Sequence, residues 1–178
     1  WQGLAGSIPG GPGPWAAPCH LHPRLSDIMV IPYTQGIISK NIVSAASPTF
    51  ANFTTGVTGT GNAIRFSNVN DSLVFMGWTN GNFRVANILA SPITVDSMSR
   101  PENNTIRDIE TSYNNDKVVY AACGNNIYRS SNKGASWTDI SSNLPNIPMF
   151  SIVLDKNSPE GLYVGTDAGV YYKDSLMT

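Results

Sequence analysis

Apolar residues along this chain gather in short runs separated by clusters of Gly, Asn, Ser, Asp and Pro. Val118-Val119-Tyr120 and Leu162-Tyr163-Val164 are β-branched and aromatic, which suits a pleated, half-buried surface. Gly124-Asn125-Asn126 and Asp167-Ala168-Gly169 follow closely and supply tight turns. No stretch repeats its apolar positions at the spacing of an amphipathic helix. The pattern predicts strands over 106–112, 117–123, 126–131 and 136–140, then again over 149–155, 161–166 and 169–173.

The second set of strands is a copy of the first. Ile109, Tyr120, Ala122, Ile127 and Tyr128 recur 43 residues later as Ile152, Tyr163, Gly165, Val170 and Tyr171. Backwards, Val119-Tyr120 aligns with Val74-Phe75, and Phe75 and Phe83 with Val30 and Ile38, each 45 residues apart. A period near 44 residues fits four short antiparallel strands and their turns, which is one blade of a β-propeller. The sequence therefore predicts an all-β fold, a partial propeller with three to four blades visible, in approximate units 15–60, 61–104, 105–147 and 148–178. A Gly/Pro-rich lead-in and first strand occupy 1–23, and the repeats occupy 24–178. The last unit stops after its third strand, so the chain reads as a fragment of a larger propeller.

One hairpin stands out within the repeat. Ser130-Ser131-Asn132-Lys133-Gly134-Ala135-Ser136-Trp137 places a hydroxyl, an amide, a glycine and a large aromatic at close spacing. Asn132 can hydrogen-bond nearby backbone amides, and Gly134 can take a positive φ. Trp137 is expected to open a strand and bury its ring, which would contribute about 4–6 kcal/mol of gross burial. The run resembles the Asp-box, or bacterial neuraminidase repeat, Ser-x-Asp-x-Gly-x-Thr-Trp. Ser130, Gly134 and Trp137 match, Asn132 stands for the aspartate and Ser136 for the threonine. The resemblance implies a hairpin on the outer side of a propeller blade, with these five residues in structural roles. A worn copy lies at Ser47-Pro48-Thr49-Phe50-Ala51-Asn52-Phe53, with Phe50 in the place of Trp137, and a weaker one at Ser91-Pro92-Ile93-Thr94-Val95. Trp15-Ala16-Ala17-Pro18 and the segment Gly161 to Tyr171 resemble secreted or surface proteins of the Bacteroidetes type. Sialidases, xyloglucan-degrading glycosidases, sortilin-type receptors and a photosystem assembly factor share the box, so the resemblance implies a fold more than an activity.

Charge narrows the possible partners. Only 13% of residues are charged and the net charge is −1, so there is no basic stripe for nucleic acid. No apolar run reaches the length of a membrane span. Cys19 and Cys123 fall two units apart, too far to bridge, and are expected as two buried thiols. His20 and His22 share a strand face but lack further ligands in pattern, so they read as polar strand residues near a loop. Asp108 and Glu110 also share a face. Paired carboxylates suit glycosidases when they flank a bond, but on one strand they are expected to face solvent. Trp78 and Tyr33, with Trp1, are candidates for stacking on a glycan, although inter-blade packing is the simpler role for Trp78. Acceptor patterns for N-glycans occur at Asn52, Asn70 and Asn103, and the Asp-Ser pattern of Bacteroidetes O-glycans at Ser72, Ser97 and Ser175.

Nothing assigns a catalytic, cofactor-binding or metal-binding residue, and no cofactor is implied. The expected function is a non-catalytic recognition or scaffold module of an extracellular or cell-surface protein, binding protein or glycan. Its blades would be completed by the rest of the parent chain or by another chain. The alternative is part of a glycoside hydrolase, xyloglucanase- or sialidase-like, with its carboxylates outside this fragment.

Overall fold

The computed structural model describes residues 18–158 and 161–174. Trp1, Trp15 and most of the lead-in lie outside the described residues, as does Ser175. Among those described there are fifteen strands in four antiparallel sheets and no helix. The first sheet is β1 (His20–Leu21), β2 (Met29–Pro32), β3 (Gly36–Ser39) and β4 (Ala51–Phe53). The second is β5 (Gly61–Phe66), β6 (Leu73–Trp78), β7 (Phe83–Asn87) and β8 (Thr94–Met98). The third is β9 (Ile106–Thr111), β10 (Val119–Cys123), β11 (Asn126–Ser130) and β12 (Thr138–Asp139). The fourth has β13 (Met149–Leu154), β14 (Leu162–Thr166) and β15 (Gly169–Lys173). Each sheet is a meander with its strands paired in chain order.

The first strands of successive sheets are neighbours: β1 packs beside β5, β5 beside β9 and β9 beside β13. The sheets therefore stack face to face around a common inner edge, as blades do. Between each consecutive pair lies a separate apolar core. The two-residue alternation of a strand builds these cores. On β10, Val119, Ala121 and Cys123 join the core shared with the second sheet. Tyr120 and Ala122, with Val118 just ahead of the strand, join the core shared with the fourth. On β6, Val74, Met76 and Trp78 point back, and Leu73 and Phe75 point forward. A middle strand covered on both faces must read as a continuous apolar run, and these do.

The inner strands share an irregularity that follows the repeat. The β5–β6, β9–β10 and β13–β14 ladders each skip one residue, at Asn62, Arg107 and Phe150. These bulged residues are 45 and 43 positions apart. A bulge re-aims its side chain, and here two of the three are aimed at the next sheet. Asn62 Nδ2 donates to the Ile106 carbonyl at 2.9 Å, and the Arg107 guanidinium lies 5.3 Å from the Phe150 ring centre. The close approach of sheets also excludes a side chain at Gly77, where a Cβ would meet Ile106 Cγ2 at 2.6 Å.

Candidate functional site

The hairpin from Ser130 to Trp137 is held by its own side chains. Ser130 Oγ accepts from the Gly134 amide at 2.8 Å and the Asn132 amide at 3.2 Å, and donates to Asn132 Oδ1 at 2.8 Å. Asn132 Oδ1 also accepts from the Ser136 amide at 2.9 Å, while Nδ2 donates to Ser136 Oγ at 2.9 Å. The amide thus supplies both an acceptor and a donor, which an aspartate could not. Trp137 leans away from its own sheet onto the preceding one. Its ring meets Phe83 edge-on at 4.9 Å, and Nε1 donates to the Ser99 carbonyl at 3.0 Å. Contrary to the expected burial, Trp137 is only half-buried and β12 begins one residue later, because the outer rim of a blade leaves one side of the ring to solvent.

The same bonding recurs in the first sheet with a longer loop. Asn41 Oδ1 accepts from Ser39 Oγ at 3.1 Å and from the Thr49 amide at 2.9 Å, and Phe50 follows. Ser39 and Asn41 escaped the sequence reading because four extra residues separate Asn41 from Thr49; the Ser-x-Asn spacing was the available signal. At the third stretch, Ile93 and Val95 pack half-buried against the first core, with no aromatic in the anchor position.

The aromatic candidates divide. Trp78 is 0% exposed, lies in the core between the first two sheets, and donates from Nε1 to the Tyr33 carbonyl at 2.9 Å. No face of that ring is open for a sugar, so Trp78 is a packing residue. Tyr33 is half-buried in the β2–β3 turn.

The carboxylates correct a second expectation. Asp108 and Glu110 are drawn in from solvent; β9 is flanked by β5 and β13, and Glu110 is buried while Asp108 is half-buried. Asp108 accepts the Ile109 amide at 2.8 Å and, across the gap, the Ile152 amide at 2.9 Å. Glu110 is 4% exposed and pairs with Arg65 on β5 at 3.0 Å. Arg65 Nε also donates to the Ile109 carbonyl at 2.9 Å. Burial pushes both carboxyl groups above their ordinary range, against the pull of Arg65 and the backbone amides. These residues join blades. Asn68 donates weakly to Glu110 at 3.5 Å, so the buried acid is held from the loop side too.

His22 is likewise more buried than expected, because its ring packs 4.8 Å from Phe66 between the first two sheets. Its Nδ1 accepts the Arg24 and Leu25 amides at 3.1 and 2.9 Å, and Nε2 reaches the Asp71 carbonyl at 2.8 Å. His20 lies tilted against the same Phe66 at 5.7 Å, and burial lowers its pKa. Both cysteines are free, but Cys19 is exposed, since it precedes the two-residue β1 at the chain's first described edge. Cys123 is buried, and burial pushes its thiol up to about 12. Glu102 behaves differently: burial raises its pKa, but hydrogen bonds from Tyr128, Asn126 and Asn104 outweigh that and leave it lowered. Among the acceptor patterns, Asn52, Ser97 and Asn103 are exposed, whereas the Asn70 amide is engaged with Ser72 and Asp116.

One cleft of about 260 Å³ opens on the face formed by the loops that follow the inner strands, between the third and fourth sheets. Its walls are Ser112–Asn114 and Asp155–Ser158, and its floor is Tyr120 and Leu154. Among the described residues no group of His, Cys, Asp and Glu has the geometry of a metal site.

The fold has solved counterparts. YCF48 from Cyanidioschyzon merolae aligns with a TM-score of 0.68 at 14% identity, over 97% of this chain and 53% of that one. A GH74 enzyme from Niastella koreensis aligns at 0.67 and 16% identity, over 97% of this chain and 29% of that one. An ancestral GH74 enzyme aligns at 0.60 and 14%, over 88% and 25%. The chain thus spans about half of the first protein and under a third of the others. No family model matches the sequence, and no curated protein does. The likeness is one of fold: this chain is part of a β-propeller.

Proposed function

We propose that this chain is a non-catalytic recognition or scaffold segment of an extracellular or cell-surface propeller, with Asp-box-type hairpins as structural rivets and the loop face as its binding surface for protein or glycan. The observation that carries this reading is the use made of Asp108 and Glu110. The two carboxylates that share a strand face are committed to joining blades, through the Ile152 amide and the Arg65 guanidinium. A general acid needs a cleft that admits the scissile bond, and these carboxyls are instead engaged with neighbouring strands, Glu110 buried and Asp108 half-buried.

Completion by further blades belongs to the same proposal. Tyr163 and Val170 are 42% and 73% exposed, while their counterparts in the third blade, Tyr120 and Ile127, are 4% and 1% exposed beneath the fourth. A sheet face of that composition matches the next blade of the same repeat. The glycoside hydrolase alternative draws on the likeness to the two GH74 enzymes and requires carboxylates from residues beyond these.

The test is to incubate the full-length protein with xyloglucan and sialyllactose, following both retention and product. Retention without cleavage, unchanged in Asp108→Asn, is the expected result. Release of sugar by the full-length protein would overturn the proposal, and its loss in a still-folded Asp108→Asn or Glu110→Gln would assign the reaction to this pair.

A further inference from the structure

The loops after the inner strands clasp one another at the first two blade junctions. At the first, Arg24 pairs with Asp71 and donates to the Asn68 carbonyl at 2.9 Å. At the second, Asn68 Nδ2 donates to the Thr111 carbonyl at 2.7 Å, and the Asn68 amide donates to Thr111 Oγ1 at 3.2 Å. The residue 45 positions after Asn68 is Tyr113. The tyrosine hydroxyl sits across a ring from Cβ, so it places no donor where Asn68 Nδ2 meets the neighbouring carbonyl. Tyr113 stands 39% exposed instead, with the Lys156 ammonium 5.0 Å from its ring centre, and the cleft lies where the clasp would be.

We infer that this cleft is a subsite for one neutral pyranose residue of a glycan, an inference that rests on the recognition reading above. Its volume, about 260 Å³, lies just under the roughly 300–1,000 Å³ of pockets for drug-sized ligands, so it suits a single ring. Tyr113 lines the cleft and offers the ring face away from the Lys156 ammonium to the C–H face of a sugar. Asn114, Asn157 and Ser158 offer donors and acceptors to its hydroxyls. Lys156 and Asp155 bring one charge of each sign to the wall, which favours an uncharged ligand over an anion. The floor is firm: Tyr120 and Leu154 are 4% and 8% exposed and belong to the third core. The Asp155 carboxylate accepts the Asn157 amide at 2.9 Å and fixes the turn that presents the rim. The sugar-contact residue is then Tyr113 rather than Trp78 or Tyr33.

The experiment measures binding of neutral methyl pyranosides and xyloglucan oligosaccharides to the full-length protein by titration calorimetry and saturation-transfer NMR, with sialyllactose as the anionic arm. The key variant is Tyr113→Asn, which restores the residue that closes the second junction. Affinity about tenfold or more weaker in Tyr113→Asn, with an unchanged melting point, is expected, equivalent to a loss of about 1.4 kcal/mol. Tyr113→Phe should retain most of the binding. Should Tyr113→Asn fold poorly, Asn157→Ala at the exposed rim gives the same readout. Glycan binding that survives both Tyr113→Asn and Asn157→Ala would overturn the cleft assignment and leave the recognition reading intact. Binding of sialyllactose alone would overturn the preference for a neutral sugar. Failure of every glycan to bind would overturn the subsite, and the recognition reading would fall with it only if screens for a protein ligand were also blank.

Discussion

Gly134 holds a φ of +92°, and a Cβ there would meet Phe83 Cε1 at 2.6 Å. Gly134→Ala therefore carries backbone strain and a ring clash together, and should destabilise by about 1–3 kcal/mol in chemical denaturation. Trp137→Ala should cost about 2 kcal/mol, less than the roughly 3–5 kcal/mol of a fully buried ring, because the indole is half exposed. The cysteines should separate by reactivity. Alkylation followed by mass spectrometry should label Cys19 alone in the native protein and both thiols after denaturation, since Cys123 is buried with its thiol pushed up to about 12. For Glu110 the folded state holds its proton to higher pH than the unfolded chain does. Its contribution to stability must then fall as pH rises from the ordinary glutamate value through the raised one, and stay level beyond. The difference in melting point between wild type and Glu110→Gln, scanned from pH 4 to 8, should decline through the acid part of that range; a rising difference would contradict the assigned burial.

Inner strands carry polar contacts that join one blade to the next, each from a different position of the repeat. The bulged Asn62 reaches the Ile106 carbonyl, Arg65 reaches Ile109 and Glu110, and Asp108 reaches the Ile152 amide. Removing Arg65 as Arg65→Met strands a covered carboxylate, and should cost about 2–4 kcal/mol by denaturation, while Asn62→Ala should cost about 1 kcal/mol. The strands themselves were legible in the sequence. Val118-Val119-Tyr120 and Leu162-Tyr163-Val164 announce covered middle strands, and the turns between them match the observed hairpins within a residue or two. The burial of Asp108 and Glu110 was not legible, because a strand's alternation says which residues share a face and nothing of what packs on it. The same limit hid the burial of His22. Tyr113 was legible in principle, as the repeat aligns it with Asn68, but its meaning emerges only once Asn68 is seen to clasp Thr111.

The described sheets form an arc whose last sheet bares an apolar face. Phe150, Val153, Tyr163 and Val170 are 44%, 53%, 42% and 73% exposed on the fourth sheet, with the Tyr163 ring tilted against Tyr172 at 4.7 Å. Apolar area of that kind drives association in water. The chain alone should self-associate in sedimentation velocity, and the pair Tyr163→Lys with Val170→Lys should shift it toward monomer. The most direct measurement is a structure of the full-length protein by crystallography or electron cryo-microscopy. The account predicts a further four-stranded blade laid over Tyr163 and Val170, its inner strand bonded beside β13 as β13 is beside β9. A full-length structure with that face open to solvent, or covered by anything other than a blade, would contradict it.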